Sequence, residues 1–292
     1  MTERRALREL APSEARAELL AAARGFAARR RPADLLAQWA DDPTVRPSHV
    51  DARTSARLDV IALEAASEYE ALLLSPVAPL GSNSVVAPTS QDRTLSTMRT
   101  TEVVSDPTNV LALEAATRLV EDPDTDVRLC AAHQVLRMQP PPSGRGRTQH
   151  FRLFALADAG RGRPSDGFEV DAVVAQLAAH DRLIRAAAAT EGYVADGPTA
   201  IVRTDERSPA LAERITAALA VAMPRVAVRT ERLSSSYYAG LRVGFGVHDA
   251  AGEFLEIVDL GAHDWVAGLT GNRKHRFVAS AIGIQLLPLL AP

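Results

Sequence analysis

The chain has 292 residues, 24% of them charged, and a formal net charge of −3, which is typical of a globular protein with a substantial core. No stretch approaches the roughly 18 consecutive apolar residues of a membrane span, and the start MTERRALREL does not have the pattern of a secretory signal. A single cysteine, Cys130, excludes an internal disulfide and favours a cytoplasmic protein. The near-neutral charge argues against a dedicated nucleic-acid binder.

The first third of the chain is predicted to be mostly helical. Residues 3–31 carry apolar residues among charges, and we assign residues 1–47 to an N-terminal helical extension. A longer periodic segment, residues 50–74, predicts one long helix. Pro76, Pro79 and Gly81 end any helix after it.

Strands and helices then alternate through a predicted core of residues 48–292. The cluster DPTN at 106–109 begins a helix, and residues 128–139 and 150–159 predict two paired strands around a loop rich in proline and arginine. A helix over 167–189, a strand, an inserted helix–strand segment at about 203–232, two hairpin strands and a last strand at 273–280 follow. This order favours an α+β fold, a mainly antiparallel sheet flanked by helices.

The order of these signals, with their motifs, resembles the catalytic core of class II aminoacyl-tRNA synthetases, most closely the histidyl type. LLLSPVAPLG is similar to the dimer-forming first motif, and VLRMQ with GRGRTQHF to the second. SYYAGLRVGF resembles the strand that shapes the amino-acid pocket, and SAIGIQLL the glycine-rich helix of the third motif. The resemblance spans roughly residues 48–292 and implies a homodimer.

The resemblance implies a nucleotide site for ATP with Mg²⁺. Arg137 would hold the α-phosphate while a carboxylate attacks it, a task suited to a planar, permanently charged guanidinium. Phe151 would stack on adenine, and loop or strand cations would reach the outer phosphates. The implied nucleotide-binding residues are Arg145, Arg147, Phe151, Lys274 and Arg276. The alternative for the same stretch is a solvated hairpin in an arginine-biased chain.

The resemblance also implies a substrate pocket. No His/Cys spacing in the sequence suggests zinc, and we predict no protein metal ligands. The predicted pocket residues are Tyr237, Tyr238, Asp158, His263 and Asp264. Because adjacent strand residues face opposite sides, we expect only one of the two tyrosines to line the pocket. His263 could be a polar pocket group or a general base, although a histidine near a turn is also typical of a partly exposed residue.

Two departures from the family pattern bear on activity. Gln139 stands where the second motif has glutamate, and Leu286 where the third has arginine. Losing a charged group aimed at developing charge costs on the order of 10²–10³ in rate. This sequence differs from the histidyl type at positions that contact the histidine substrate in that family. Histidine is therefore not expected to be the substrate.

These features leave two functions open. One is a stand-alone synthetase-like ligase that binds ATP and activates a small carboxylate or amino acid as an adenylate. The other is a degenerate, non-catalytic regulatory or binding subunit, with a protein partner, that resembles the regulatory subunit of ATP phosphoribosyltransferase. A tRNA substrate is not expected, because the chain ends soon after the third motif. If Arg137, a loop arginine and Lys274 or Arg276 converge on one cleft, the enzyme hypothesis is favoured.

Overall fold

The structure is a computed structural model that describes residues 6–141, 147–206 and 209–291. Seven α-helices are found in these ranges: α1 (Pro12–Ala28), α2 (Pro32–Asp41), α3 (Ala52–Ala65), α4 (Pro107–Glu121), α5 (Gly167–Glu191), α6 (Pro209–Ala222) and α7 (Trp265–Thr270). None of them is both long and apolar enough to cross a membrane.

The described residues also form ten strands. They are β1 (Glu70–Ala71), β2 (Val77–Pro79), β3 (Thr101–Val103), β4 (Val127–Leu136), β5 (His150–Arg161), β6 (Asp196–Thr204), β7 (Ala227–Arg232), β8 (Leu241–His248), β9 (Phe254–Ala262) and β10 (His275–Gly283). Eight form one sheet in the order β1-β4-β5-β10-β9-β8-β6-β7, and β2 pairs with β3. Only the outer pairs β1–β4 and β6–β7 run parallel. The predicted α+β fold with a mainly antiparallel sheet is confirmed.

Helices cover both faces of the sheet. Side chains alternate along the central strands, so Cys130 and Leu156 pack in the cluster with α3, α5 and α6. Their neighbours Ala131 and Ala155 pack with α4 and α7 on the other face. This period of two is the pattern that places every second residue on the same side of a sheet.

Local signals explain where the helices begin. Asp51 precedes α3, and its Oδ1 accepts hydrogen bonds from the backbone N–H groups of Arg53 and Thr54, both at 3.0 Å. Asp106 precedes α4 in the same way, with Pro107 at the first helical position. A capping carboxylate satisfies N–H groups that have no partner within the helix.

Two element boundaries differ from the prediction. The helix predicted over residues 50–74 ends at Ala65, because Glu70 and Ala71 pair with β4 and bring the chain into the sheet. The last strand runs on to Gly283, since Ala281, Ile282 and Gly283 continue the ladder with β5. A 3₁₀ helix, Ile284–Leu290, follows where a glycine-rich helix was predicted.

The predicted limits of the N-terminal extension and of the inserted segment remain predictions. The helices α1 and α2 lie within residues 1–47, and neither contains a buried residue. The helix α6 and the strand β7 lie within the segment predicted as an insertion, and β7 extends the sheet by pairing with β6.

Candidate functional site

A cavity of about 540 Å³ lies beside the N-terminus of α4, where the ends of β4 and β5 approach β9 and the segment before β8. Most of the residues predicted for nucleotide or substrate binding meet here. The lining residues used below are Arg93, Asp106, Arg137, Arg147, Phe151, Tyr237, Tyr238, Arg242, Glu256, Asp259, Gly261, His263 and Leu286.

Arg137, directly after β4, is held at one end of the cavity. Its Nε donates to the backbone carbonyl of Ser105 at 3.1 Å, and its Nη2 lies 3.3 Å from Oδ2 of Asp106. The guanidinium carbon lies 5.0 Å from the centroid of the Phe151 ring, within range of a cation–π contact. One carboxylate and one aromatic face therefore already contact the cation predicted to hold a phosphate.

Besides Arg137, three more arginines line the same cavity, Arg242 among them. Arg93 and Arg147 have no carboxylate partner among the described residues. Arg93 lies near enough to Tyr237 for its charge to oppose the rise in the pKa of that phenol. This end of the cavity therefore carries two guanidinium groups besides the paired Arg137.

The opposite wall is a chain of charged groups on β8 and β9. The Tyr238 hydroxyl donates to Oδ2 of Asp259 at 2.7 Å, and Nε of Arg242 donates to Oδ1 of the same carboxylate at 2.9 Å. Glu256 accepts two bonds from Arg203 at 3.0 and 3.1 Å. Burial, followed by the negative charge of Asp259, raises the pKa of Tyr238, so the phenol stays protonated and donates.

Gly261 makes this wall possible. A Cβ at this position would lie 2.2 Å from Cδ1 of Tyr238, a distance that no side chain tolerates. The absence of a side chain on β9 lets the Tyr238 ring lie against the strand and reach Asp259, two residues earlier.

An aromatic cluster contributes Tyr237, Tyr238 and His263 to the lining of the cavity. The His263 ring stacks on Trp265 with centroids 3.9 Å apart, and the Tyr237 ring meets both edge-on at 5.3 and 5.8 Å. The rings of Tyr237 and Tyr238 meet at 88°, 5.0 Å apart. The expectation that only one tyrosine lines the pocket was wrong: both do, because they precede β8 in a turn, where side chains need not alternate.

Several predicted site residues lie away from this cavity. Asp158 is buried on the α5 side of the sheet, where it accepts hydrogen bonds from Tyr69 at 2.9 Å and Gln176 at 2.7 Å. Burial raises the pKa of Asp158 to about 6, although both hydrogen bonds oppose the rise. It is thus part of a buried polar network in the core.

The predicted late cations also lie elsewhere. Arg276 lines a second cavity of about 710 Å³ and pairs with Glu169 at 3.1 Å. Asp264 lines that second cavity as well, and Lys274 precedes β10 outside the lining of the first one. Arg145 lies outside the described residues.

Sequence reasoning missed the charged wall of Asp259, Arg242 and Glu256. The available signal was the presence of charged residues inside the apolar strands LRVGFGVH and FLEIVDLG. Charges in such strands are costly unless paired or facing a polar space. The cations Arg137 and Arg147 had a clearer signal, because both lie in the stretch that resembles the second motif.

The motif departures noted in the sequence line the cavity too. Leu286, where the family has an arginine, and Gln139, where it has a glutamate, both contribute to the lining. The third-motif side of the cavity is therefore apolar at the position where the family places a cation. No group of three or more histidine, cysteine, aspartate or glutamate side chains in the described ranges is arranged to hold a metal ion.

The architecture is similar to that of solved synthetase-like structures. An ATP phosphoribosyltransferase regulatory subunit/histidyl-tRNA synthetase from Bacillus halodurans is 12% identical with a TM-score of 0.58, over 80% of this chain and 78% of that one. A histidine–tRNA ligase subunit from Alicyclobacillus acidocaldarius is 13% identical with a TM-score of 0.59, over 84% of this chain and 95% of that one.

The apo histidyl-tRNA synthetase of S. aureus is 10% identical with a TM-score of 0.59, over 82% of this chain and 64% of that one. No protein-family model and no curated protein sequence matches the chain. These likenesses confirm the resemblance at the level of the fold: the chain has the fold of a class II aminoacyl-tRNA synthetase catalytic core.

Proposed function

We propose that this chain is a non-catalytic binding or regulatory protein whose cavity holds a small amino acid or related carboxylate. One observation carries the proposal. Arg137, the cation expected to stabilise the attacked phosphate, is paired with Asp106, while the position of the third-motif arginine is held by Leu286 in the same cavity.

Adenylate formation depends on positive charge aimed at a phosphate that gains negative charge during attack. A guanidinium that already contacts a carboxylate offers less of that charge. Arg276 cannot replace the missing cation as it stands, because it pairs with Glu169 at another cavity. Of the cations named in the convergence criterion, Arg137 and the loop residue Arg147 line this cavity, whereas Lys274 and Arg276 do not.

The polarity of the cavity supports a zwitterionic ligand. Arg93 and Arg147 at one end suit a carboxylate, which guanidinium groups bind through charge-assisted hydrogen bonds. Asp259 at the other wall suits an ammonium group, since its carboxylate is half exposed and retains free lone pairs. A volume of about 540 Å³ falls within the usual range for small-molecule sites.

Calorimetric titration tests this proposal with the twenty common amino acids. We expect at least one to bind, and Asp259→Asn and Arg93→Ala to weaken its binding by about tenfold or more. Asp171→Asn is a matched control, because it removes an exposed carboxylate paired with Arg163 at 2.9 Å outside the cavity. Pyrophosphate exchange dependent on an amino acid in the wild-type protein would contradict a non-catalytic role.

A second candidate, a ligase that binds ATP and activates a small carboxylate, is favoured by the contact of Arg137 with Phe151. Arg93, Arg137 and Arg147 would then contact the phosphates, and adenine would compete with Arg137 for the Phe151 ring. The cavity carboxylates Asp106, Glu256 and Asp259 are each ion-paired with arginine, so Mg²⁺ would enter bound to ATP. Titration with ATP and Mg²⁺ tests this candidate, with loss of binding expected in Arg137→Ala.

We also propose a homodimer through the first-motif region. Leu73 is 99% exposed, and Leu80 and Val85, on the same stretch of chain, are exposed as well. Exposed leucines and valines concentrated in one segment are typical of a surface that a partner covers. For a regulatory subunit, a further protein partner would bind elsewhere on that dimer.

A further inference from the structure

The charges that line the 540 Å³ cavity do not balance. Four guanidinium groups face three carboxylates, and these charged residues are Arg93, Arg137, Arg147, Arg242, Asp106, Glu256 and Asp259. Burial lowers the pKa of His263, a further lining residue, to about 3. The imidazole is therefore neutral near pH 7 and does not change the balance.

Each of the three carboxylates already has an arginine partner. The pairs are Asp106 with Arg137 at 3.3 Å, Asp259 with Arg242 at 2.9 Å and Glu256 with Arg203 at 3.0 Å. Because Arg203 lies outside the lining, Glu256 is satisfied without using an arginine of the cavity. The positive charges in excess are therefore those of Arg93 and Arg147.

These two arginines differ in exposure but share the absence of an anion. Arg93 is half-buried and Arg147 is exposed. Across residues 6–141, 147–206 and 209–291, neither forms an ion pair with a carboxylate. A guanidinium that is partly removed from water without an anion loses solvation that nothing replaces. An anionic group in the cavity would remove that penalty.

The Tyr237 phenol shows that both walls of the cavity act on the same space. Burial raises the pKa of this phenol, and the negative charges of Asp106 and Asp259 add to the rise. The positive charges of Arg93 and Arg137 oppose it. Groups of both walls therefore lie within electrostatic range of one hydroxyl, and a ligand beside it interacts with cations at one wall and with Asp259 at the other.

Two other cavities have the opposite balance of charge. The cavity of about 710 Å³ is lined by two arginines and three carboxylates, and one of about 520 Å³ by two arginines and five carboxylates. The whole chain has a net charge of −3. The excess of positive charge is thus a local property of the 540 Å³ cavity and does not follow from the abundance of arginine in the chain.

We propose that the ligand of this cavity is an amino acid with a second anionic group, a carboxylate or a phosphate, on its side chain. This inference rests on the proposed function of the cavity and narrows its ligand class. The two anionic groups contact Arg93 and Arg147, one each, and the ammonium group contacts Asp259. A neutral amino acid leaves one of the two guanidinium groups without an anion.

Calorimetric titration with three pairs of probes tests the charge requirement. The pairs are glutamate with glutamine, aspartate with asparagine, and O-phosphoserine with serine. We expect the anionic member of at least one pair to bind about tenfold more tightly, as a charge-assisted hydrogen bond allows. The first two pairs report a side-chain carboxylate, and the third reports a phosphate. Equal affinity within every pair would overturn the inference.

Single substitutions then show whether the two arginines cause the preference. Because each arginine contacts one anionic group, Arg93→Gln or Arg147→Gln should weaken the preferred anionic probe about tenfold and its neutral partner less than twofold. The other variant should weaken both members of the pair. A preference that is unchanged in both variants would mean that neither arginine reads the side chain of the ligand.

Two controls separate charge from structure. Arg99→Gln removes an exposed arginine six residues after Arg93 and outside the lining, and it should leave the preference unchanged. Lysine at the sensitive position keeps the positive charge but not the planar fork of guanidinium, so at least a threefold preference should remain, on the order of one weaker hydrogen bond. A lysine variant as unselective as the glutamine variant would overturn the charge argument.

The outcomes also separate this inference from the proposed function. If neutral amino acids bind as tightly as anionic ones, the ligand class proposed here fails and the binding function stands. If none of the twenty amino acids and no phosphoserine binds, the amino-acid form of the proposed function fails, and this inference fails with it.

Discussion

Nη2 of Arg137 lies 3.3 Å from Oδ2 of Asp106, whose Oδ1 accepts the backbone N–H of Thr108 at 3.0 Å. One carboxylate therefore caps α4 and also holds the principal cation of the cavity. Since the cap is part of the fold and Arg137 part of the site, the position of α4 sets the position of the guanidinium.

Replacing Asp106 with asparagine separates these two roles. Asparagine caps helices about as well as aspartate, so α4 should keep its start, while Arg137 loses its counter-charge. We expect the affinity for pyrophosphate, measured by calorimetry, to rise about fivefold. The control is Asp51→Asn, another capping aspartate, which lies 4.0 Å from Arg53. An unchanged affinity in Asp106→Asn would mean that Arg137 does not contact the anion.

The substitution Gly261→Ala should disrupt the charged wall. The new methyl group would occupy the position of the Tyr238 ring, so the ring must move and its bond to Asp259 is lost. We expect unfolding by urea to show a loss of about 1–3 kcal/mol, typical of overpacking. Amino-acid binding should fall by about tenfold.

Gly268→Ala is the matched control for that substitution. Gly268 lies in α7, and nothing is found within 4 Å of a Cβ built there. Alanine in a helix is more stable than glycine by roughly 0.5–1 kcal/mol, so this variant should be slightly stabilised and bind normally. Equal binding by Gly261→Ala and Gly268→Ala would show that Tyr238 does not support the site.

Asp158 should make stability depend on pH. Burial raises the pKa of this carboxyl from 3.8 to about 6 in the folded state, so the folded protein holds the proton more tightly than the unfolded chain. The contribution of Asp158 is therefore most favourable below pH 4 and declines as the pH rises through 6. Two pKa units correspond to about 3 kcal/mol.

Asp158→Asn removes this titration and tests it. Between pH 4 and pH 7, the wild type should lose up to about 3 kcal/mol of unfolding free energy relative to Asp158→Asn. Urea denaturation at both pH values measures the shift, with Asp171→Asn as an exposed control. A constant difference would mean that Arg128, whose Nε lies 3.1 Å from the carboxylate, keeps Asp158 ionised throughout.

The proposed homodimer predicts a strong effect of charge at Leu73. Because Leu73 is 99% exposed in the single chain, Leu73→Asp should not disturb the folded monomer but should shift sedimentation from dimer to monomer. Val221→Asp, at a position 85% exposed on α6, is a matched control. A wild-type protein that sediments as a monomer at all concentrations would refute the dimer.

The sequence alone determined the elements and much of their order. Local rules suffice for a helix that begins after Asp106 and for two strands that flank an arginine-bearing loop, since both depend on neighbouring residues. The same rules placed Arg137, Arg147 and Phe151 around one loop, and the structure brings all three to one cavity.

Only the tertiary structure decided which distant side chains meet. Phe151 and Asp158 are seven residues apart on one strand, so their side chains face opposite sides of the sheet. The packing of the helices decides that one side opens on the cavity and the other is buried under α5 beside Tyr69. The opposite wall depends on the register between β8 and β9, which brings Arg242 to Asp259. Periodicity shows which residues share a face, but pairing across long stretches of chain is set by packing of the whole core.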